Sequence, residues 1–333
     1  MTMSGLTLAL TFLTLPAPAA DCAFEGAPRE AVDRALTAWN RLDAARIHAA
    51  DPARPVIQVF DLKCQYALTP SDGGDFRVED RSFDVRAFAH NGMIDIGDGD
   101  PSPVGKTAFA TNNEGGGPPV FVIALPEVWA ADTADRRDAG QLFMAVFMHE
   151  FSHVQHMAGL NARFEALAAS GYSGMRLGDD AVQRTFASDP DFVAAYRQEM
   201  EVLTAAATAP DRETTTAKLA EARALIAARR ERWFSSPDRA GWASADDVFL
   251  TLEGAGQWAA YSWMTDPQGG GLSPDAAFAA MRTRWWSQEQ GMMLMLAIDR
   301  LLPEWPTLSF GSDGVTINAL LDRALGAAAQ PGA

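Results

Sequence analysis

The chain of 333 residues is poor in the side chains that most often carry chemistry, with only two cysteines and five histidines. Two cysteines exclude a disulfide-dense scaffold, and neither sits in the C-x-x-C spacing of a redox centre or zinc knuckle. Basic residues are also scarce: 27 Lys and Arg stand against 43 Asp and Glu, for a net charge of −16. A surface of that sign repels phosphate backbones and anionic lipid headgroups, so nucleic-acid and membrane-surface partners are not expected. Past the first twenty residues no apolar run is long enough to span a bilayer. Internal repeats and low-complexity linkers are missing as well, which argues against a solenoid or a string of modules.

What is present is globular: 48% of residues are apolar and 21% charged, enough for a sizeable core in a chain of this length. The first twenty residues stand apart. The uncharged run LTLALTFLTL (6–15) is followed by PAPAA, in which Ala17 and Ala19 give the small-x-small pattern of a cleavage site. Residues 1–20 are expected to be an export signal, and the mature protein to be periplasmic or secreted, with no membrane insertion once the signal is removed. In an oxidising compartment the natural use of Cys22 and Cys64 is one disulfide tying the new N-terminus to a predicted strand; two unrelated buried thiols are the alternative.

Residues 28–50 place Val32, Ala35, Leu36, Trp39 and Leu42 at helical spacing. Runs rich in β-formers follow at 55–68, 82–90 and 119–126. Between the last two lies a Gly/Pro/Asp-rich loop with room for one short strand. Helical patterns then run over 133–158, 189–207, 213–234, 244–264, 273–286, 291–302 and 314–325. Thr133 is expected to cap the first of these and Gly159 to follow its end. The order predicts one α+β domain over residues 21–333: a small mixed sheet up to about residue 130, then a mostly helical part over 131–327.

Two motifs in the loop fail on spacing. GDPSPVGKT has five residues, two of them proline, between Gly99 and Gly105 where a phosphate loop needs four. Asp95, Asp98 and Asp100 miss the EF-hand pattern and its downstream Glu.

Residues 149–153 read His-Glu-Phe-Ser-His, the H-E-x-x-H pattern. Positions i and i+4 of a helix share a face, so His149 and His153 can converge on one ion. Glu150 is too close in angle to join them and is placed instead to act on water, as a general base. Imidazole ligands suit Zn2+. The preceding run LFMAVFM is apolar and uncharged, so one side of this helix is buried, and buried polar groups need partners. Satisfied core histidines with a surface Glu are the ordinary alternative.

His156 shares the face of His149 but lies two turns away, too far to join the same ion, which leaves it cleft-lining, supporting, or amphipathic surface. No histidine follows it, so a third ligand is expected to be a carboxylate. Glu253 sits mid-helix beside Gly254 and Gly256, and two helix glycines at such a point imply close approach of another backbone or of the metal helix. Glu199 and Glu201, on a more polar helix, are the other candidates. A buried pairing with arginine is the ordinary reading of Glu253.

HEFSH with a later EGAGQW resembles the gluzincin branch of the zincin metallopeptidases. More narrowly it is similar to uncharacterised Zn-dependent peptidases with H-E-x-x-H and a distal E-G-x-A-x-Y-like helix, although Gly256 and Trp258 stand where Ala and Tyr belong and no N-E-x-x-S-D signature is present. The resemblance implies a zincin-like helical region, His149, His153 and Glu253 as zinc ligands, Glu150 as general base, and a peptide or protein substrate. Tyr261, Arg282 and Arg284 are candidate donors to the oxyanion of such a hydrolysis. The alternative is a non-catalytic exported binding or scaffold protein of the same shape.

Overall fold

The structure, a computed structural model, describes residues 22–95, 101–111, 117–131, 138–170, 178–239 and 241–328. Residues 1–20, Asp98, Gly99, Asp100 and Thr133 lie outside this set. Among the described residues the first helix is α1 (Ala27–Leu42), with Pro28 in its first turn, where a missing N–H costs nothing. The helix expected to reach residue 50 instead loosens into a π-turn over Asp43–Ile47, ended by His48 in the left-handed conformation.

The β-rich stretch forms strands β1 (Val56–Phe60), β2 (Cys64–Pro70), β3 (Phe76–Val78) and β4 (Arg81–Ala89), then β5 (Met93–Ile94), β6 (Ser102–Pro103), β7 (Ala108–Thr111) and β8 (Val120–Ala124). The continuous run 55–68 is a hairpin rather than one strand. Asp61 makes the turn, its Oδ1 accepting from the backbone N–H of Lys63 and of Cys64, both at 2.7 Å, the local bond that suits Asp to turns. The short strand at the centre of the long loop is β7. The six-stranded sheet has the order β3-β4-β2-β1-β8-β7 and is mixed: β1 runs parallel to β8, the other neighbours antiparallel. β7 is thus an edge, while β5 and β6 pair apart from this sheet.

Helices follow: α2 (Pro126–Ala130), α3 (Ala139–Ala169), α4 (Ala181–Phe186), α5 (Pro190–Ala207), α6 (Arg212–Phe234), α7 (Trp242–Thr265), α8 (Pro274–Ala280), α9 (Trp286–Leu301), α10 (Trp305–Ser309) and α11 (Ile317–Ala328). The fold is α+β. Two boundaries differ from the sequence pattern. The run 273–286 holds only the short α8, and α9 begins five residues earlier than its pattern, at Trp286. Asp138, whose side chain accepts from Gln141 N–H, caps α3, and the helix passes straight through Gly159.

Gly159 does not terminate α3, because it serves a crossing. A Cβ there would lie 2.5 Å from the Gly311 carbonyl oxygen and 3.0 Å from Gly314 Cα. The chain after α10 runs across the helix at that point, and Arg163 Nε donates to Gly314 O at 3.1 Å.

α3 lies on the sheet through aromatic contacts: Phe121 of β8 meets Phe147 and Phe151 edge-on at 5.2 and 5.4 Å between centroids. α7 packs between α3 and α9. One hydrophobic cluster links all three layers, with Leu36 and Trp39 of α1, Ile57 and Phe121 of the sheet, and Trp258 and Met295 of the helices fully buried in it. Cys22 and Cys64 form a disulfide closing a separation of 42 residues, worth about 4 kcal/mol in the chain-entropy account. Such bonds persist in oxidising compartments. No described helix is long and apolar enough to cross a membrane.

The α7–α9 contact depends on two glycines. A Cβ on Gly254 would sit 2.7 Å from the Gly291 backbone, and one on Gly291 2.6 Å from Leu250 O. Gly254→Ala is therefore expected to destabilise the fold by about 1–3 kcal/mol despite alanine's better helix propensity. Gly326→Ala, in α11 with nothing within 4 Å of the new Cβ, should stabilise it by roughly 0.5–1 kcal/mol. Urea denaturation of the two variants checks the opposite signs.

Candidate metal centre

The burial stripe of α3 sets the site. Phe143, Phe147, Phe151 and Val154 face the core while His149 and His153 turn toward α7, each only 7% exposed. Their rings are 4.6 Å apart, inclined at 78°. From α7, Glu253 enters between them, 4% exposed. Its Oε2 is 3.3 Å from His149 Nε2 and its Oε1 is 3.4 Å from His153 Nε2. Glu150 Oε2 lies 3.9 Å from His153 Nε2, with its side chain 21% exposed. His149, Glu150 and His153 bring one ligand atom each within 4.8 Å of one another.

Gly256 makes this approach feasible. A Cβ there would be 2.8 Å from both Cε1 and Nδ1 of His149. Both glycines that follow the acid are thus spent on close contact, one on the α9 backbone and one on an imidazole.

The donor set fits a divalent cation. Two ligand atoms about 2.0–2.1 Å from a tetrahedral ion stand roughly 3.3 Å apart, which is the spacing Glu253 keeps from each imidazole. His149 Nε2 and Glu253 Oε2 are buried without hydrogen-bond partners, and such orphaned groups carry a desolvation cost unless something fills the gap between them. Among the described residues no arginine fills it: the ion-pair partners of Glu253 are the two imidazoles.

Electrostatics separate the acids. For Glu253, burial pushes the carboxyl upward, but the two imidazoles facing it, His153 foremost, outweigh that and hold the group well below the ordinary carboxylate range. For Glu150, burial wins over the pull of His153 and His149, and its carboxyl is raised. His153 is raised too: burial opposes its charged form, but Glu253 and Glu150 more than compensate. One acid is kept ionised and the other is moved toward proton uptake, the division expected of a ligand and a base.

Two clefts flank the imidazole pair. The smaller, about 220 Å³, is bordered by His149, Glu150, Gln257, Arg282 and Gln288. The larger, about 580 Å³, lies under the edge strand β7 and is bordered by Phe109, His153, Asp179 and Glu253. Glu150 and Gln288 line both. A third cavity of about 600 Å³ shares Met281 and Arg282 with the smaller cleft and continues it along α5 and α9. Asp179 has its carboxyl raised, by burial first and then by Glu253.

The structure therefore brings together His149, Glu150, His153 and Glu253. Glu199 is elsewhere and is not on an exposed face. It is 1% exposed and accepts two bonds from Arg229 Nε at 2.8 and 3.0 Å and one from Gln290 at 2.8 Å. Glu201 is exposed and borders the third cavity. Tyr261 is half-buried against the main core, its hydroxyl pushed up by burial and by Asp275, and is not among the residues bordering either flanking cleft. Arg282 reaches the smaller cleft and faces Glu289 at 3.6 Å, whereas Arg284 lies over Trp285 beside the third cavity.

His156 is neither ligand nor surface. It is fully buried and stacked on Phe310 at 4.5 Å. Ser309 Oγ spends its proton on Val315 O, so it accepts from His156 Nε2 at 2.9 Å. The sequence reading missed Gln257, Gln288 and Asp179. Gln257, one turn after Glu253, could have been found from helical spacing, but Gln288 and Asp179 carry no local signal.

No protein-family model, no curated protein and no solved structure matches the chain.

Burial, with some help from His153, holds His156 down to about 3. Its folded value is below the ordinary 6.5, so the stability it contributes is complete above that pH and is lost as pH falls toward 3. Between pH 6.5 and 4.5 this group alone should cost the fold about 2 kcal/mol. His156→Gln keeps a donor for Ser309 and should remove that part of the slope, read as the difference between the two proteins' urea midpoints across the pH range.

Proposed function

We propose that this protein is an exported zinc-dependent hydrolase acting on peptides, related in kind to the gluzincin metallopeptidases. The observation that carries the reading is the placement of Glu253, one carboxylate oxygen facing each imidazole at 3.3 and 3.4 Å. Three protein ligands of the set His, His and Glu leave the fourth position of a tetrahedral ion open, which is the arrangement of catalytic rather than structural zinc. The disulfide Cys22–Cys64 and the signal-like residues 1–20 support export to a periplasm or beyond the cell.

His149 Nε2, His153 Nε2 and the Glu253 carboxylate would hold the ion. Bound there, zinc supplies Lewis acidity that makes a water acidic near neutral pH and polarises a substrate carbonyl. The remaining work falls to the chain. Glu150, raised toward proton uptake and open to both clefts, accepts a proton on its carboxylate as the water oxygen bonds to the carbonyl carbon. It returns that proton to the amide nitrogen as the C–N bond breaks, so the products are a carboxylate and an amine. The two clefts meeting at Glu150 leave room for chain on either side of that bond, and the acidic border at Asp179 faces the larger one.

Protein purified without chelator is expected to hold one zinc per chain by elemental analysis. Glu150→Gln should keep the metal and lose turnover of a mixture of internally quenched peptides by about 100-fold or more. His153→Ala should lose the metal itself. Full turnover in the Glu150 variant, or no zinc in the wild-type protein, contradicts the reading.

A further inference from the structure

We infer that Gln288 is the hydrogen-bond donor to the carbonyl oxygen of the scissile bond, with Gln257 as its positioning residue. The inference rests on the hydrolase reading above and supplies the one group that reading lacks. A developing oxyanion needs a donor besides the metal. The sequence candidates do not supply it well: Tyr261 borders neither flanking cleft, Arg284 stacks on Trp285, and Arg282 is largely exposed and faces Glu289.

Gln288 meets the requirement by position. Apart from Glu150 it is the residue common to both clefts, so it shares the wall of each with the general base. It is half-buried in the first turn of α9, where the helix dipole adds positive partial charge.

Its orientation is determined as well. Gln257 Nε2 donates to Gln288 Oε1 at 3.1 Å. With its oxygen engaged, Gln288 presents its NH2 group, two donors and no acceptor. Gln257 stands one helical turn from Glu253 and is 6% exposed, and its own Oε1 is buried without a partner beside the smaller cleft. The pair therefore leaves the Gln288 NH2 group as the donor toward the clefts, suited to a carbonyl oxygen.

The register of the pair is held from behind. Gln290, two residues on, donates to Glu199 within the buried cluster of Arg229 and Asp246, which ties the start of α9 to α5, α6 and α7. Ser287 and Gln290 point into the protein, 9% and 3% exposed, leaving Gln288 to the cleft.

The test compares wild type with Gln288→Ala, the near-isosteric Gln288→Glu, and Gln257→Glu. The last removes the donor that orients Gln288 and turns its amide oxygen toward the cleft. All are expected to keep one zinc per chain. Each should lower kcat on the internally quenched peptides by about 100-fold with little change in KM. Calorimetric affinity for an N-phosphoryl dipeptide, whose tetrahedral oxyanion mimics the transition state, should fall by a similar factor. Gln257→Glu combined with Gln288→Ala should be no worse than either alone, because both remove one donor. Zinc-loaded variants that keep turnover and phosphoryl-dipeptide affinity within about twofold of wild type would overturn the role of Gln288 and leave the hydrolase reading intact. A wild-type protein without zinc removes both.

Discussion

The crossing of α3 and α7 is the contact on which the site depends. It places one carboxylate between two imidazoles in a core from which water is largely excluded. A group of that kind is costly alone and stable only with a partner of opposite charge, either a proton or a cation. The two helices come close enough because α7 has no Cβ at Gly256, where the His149 ring lies, while Gly254 serves the opposite contact with α9. The same contact is therefore a packing constraint and a chemical one. A methyl group at Gly256 would press on the His149 ring and move the donor atoms apart, and one at Gly254 would push α7 away from α9.

Around this crossing the molecule keeps its charges in separate places. Arg229, Glu199 and Asp246 form a buried network joining α5, α6 and α7, with Gln290 of α9 bonded to it. Breaking one member would leave an unpaired buried charge, a loss of several kcal/mol in comparable networks, about 3–5. Arg229 thus occupies the acid that might have competed for a metal. The network also fixes the first turn of α9 against α7, so Gln257 and Gln288 meet at a defined distance rather than on a loose loop.

Local pattern carried much of the fold. The runs of β-formers and the long helical periodicities are local signals, and the α+β order followed from their succession. Errors came where a residue's role depended on a distant neighbour. Gly159 has the look of a helix terminator, yet it admits the backbone of Gly311 and Gly314. Glu199 sits on a helix that reads as polar, because its partner Arg229 is on another helix and sequence cannot show that they meet. His156 lies on the metal face by periodicity, but the turn it occupies is covered by Ser309 and Phe310.

By itself the sequence determined the H-E-x-x-H face, the availability of two cysteines for one disulfide, and the presence of an unusual acid followed by two helix glycines, since each is a matter of spacing or of residue type along the chain. Tertiary structure alone decided that Glu253 rather than Glu199 reaches the imidazoles, that β7 borders the larger cleft, and that Gln288 lines both clefts beside the candidate site. Those outcomes depend on which helices pack together and at what separation. That choice is made by the summed burial of faces far apart in the chain, and no local window contains it.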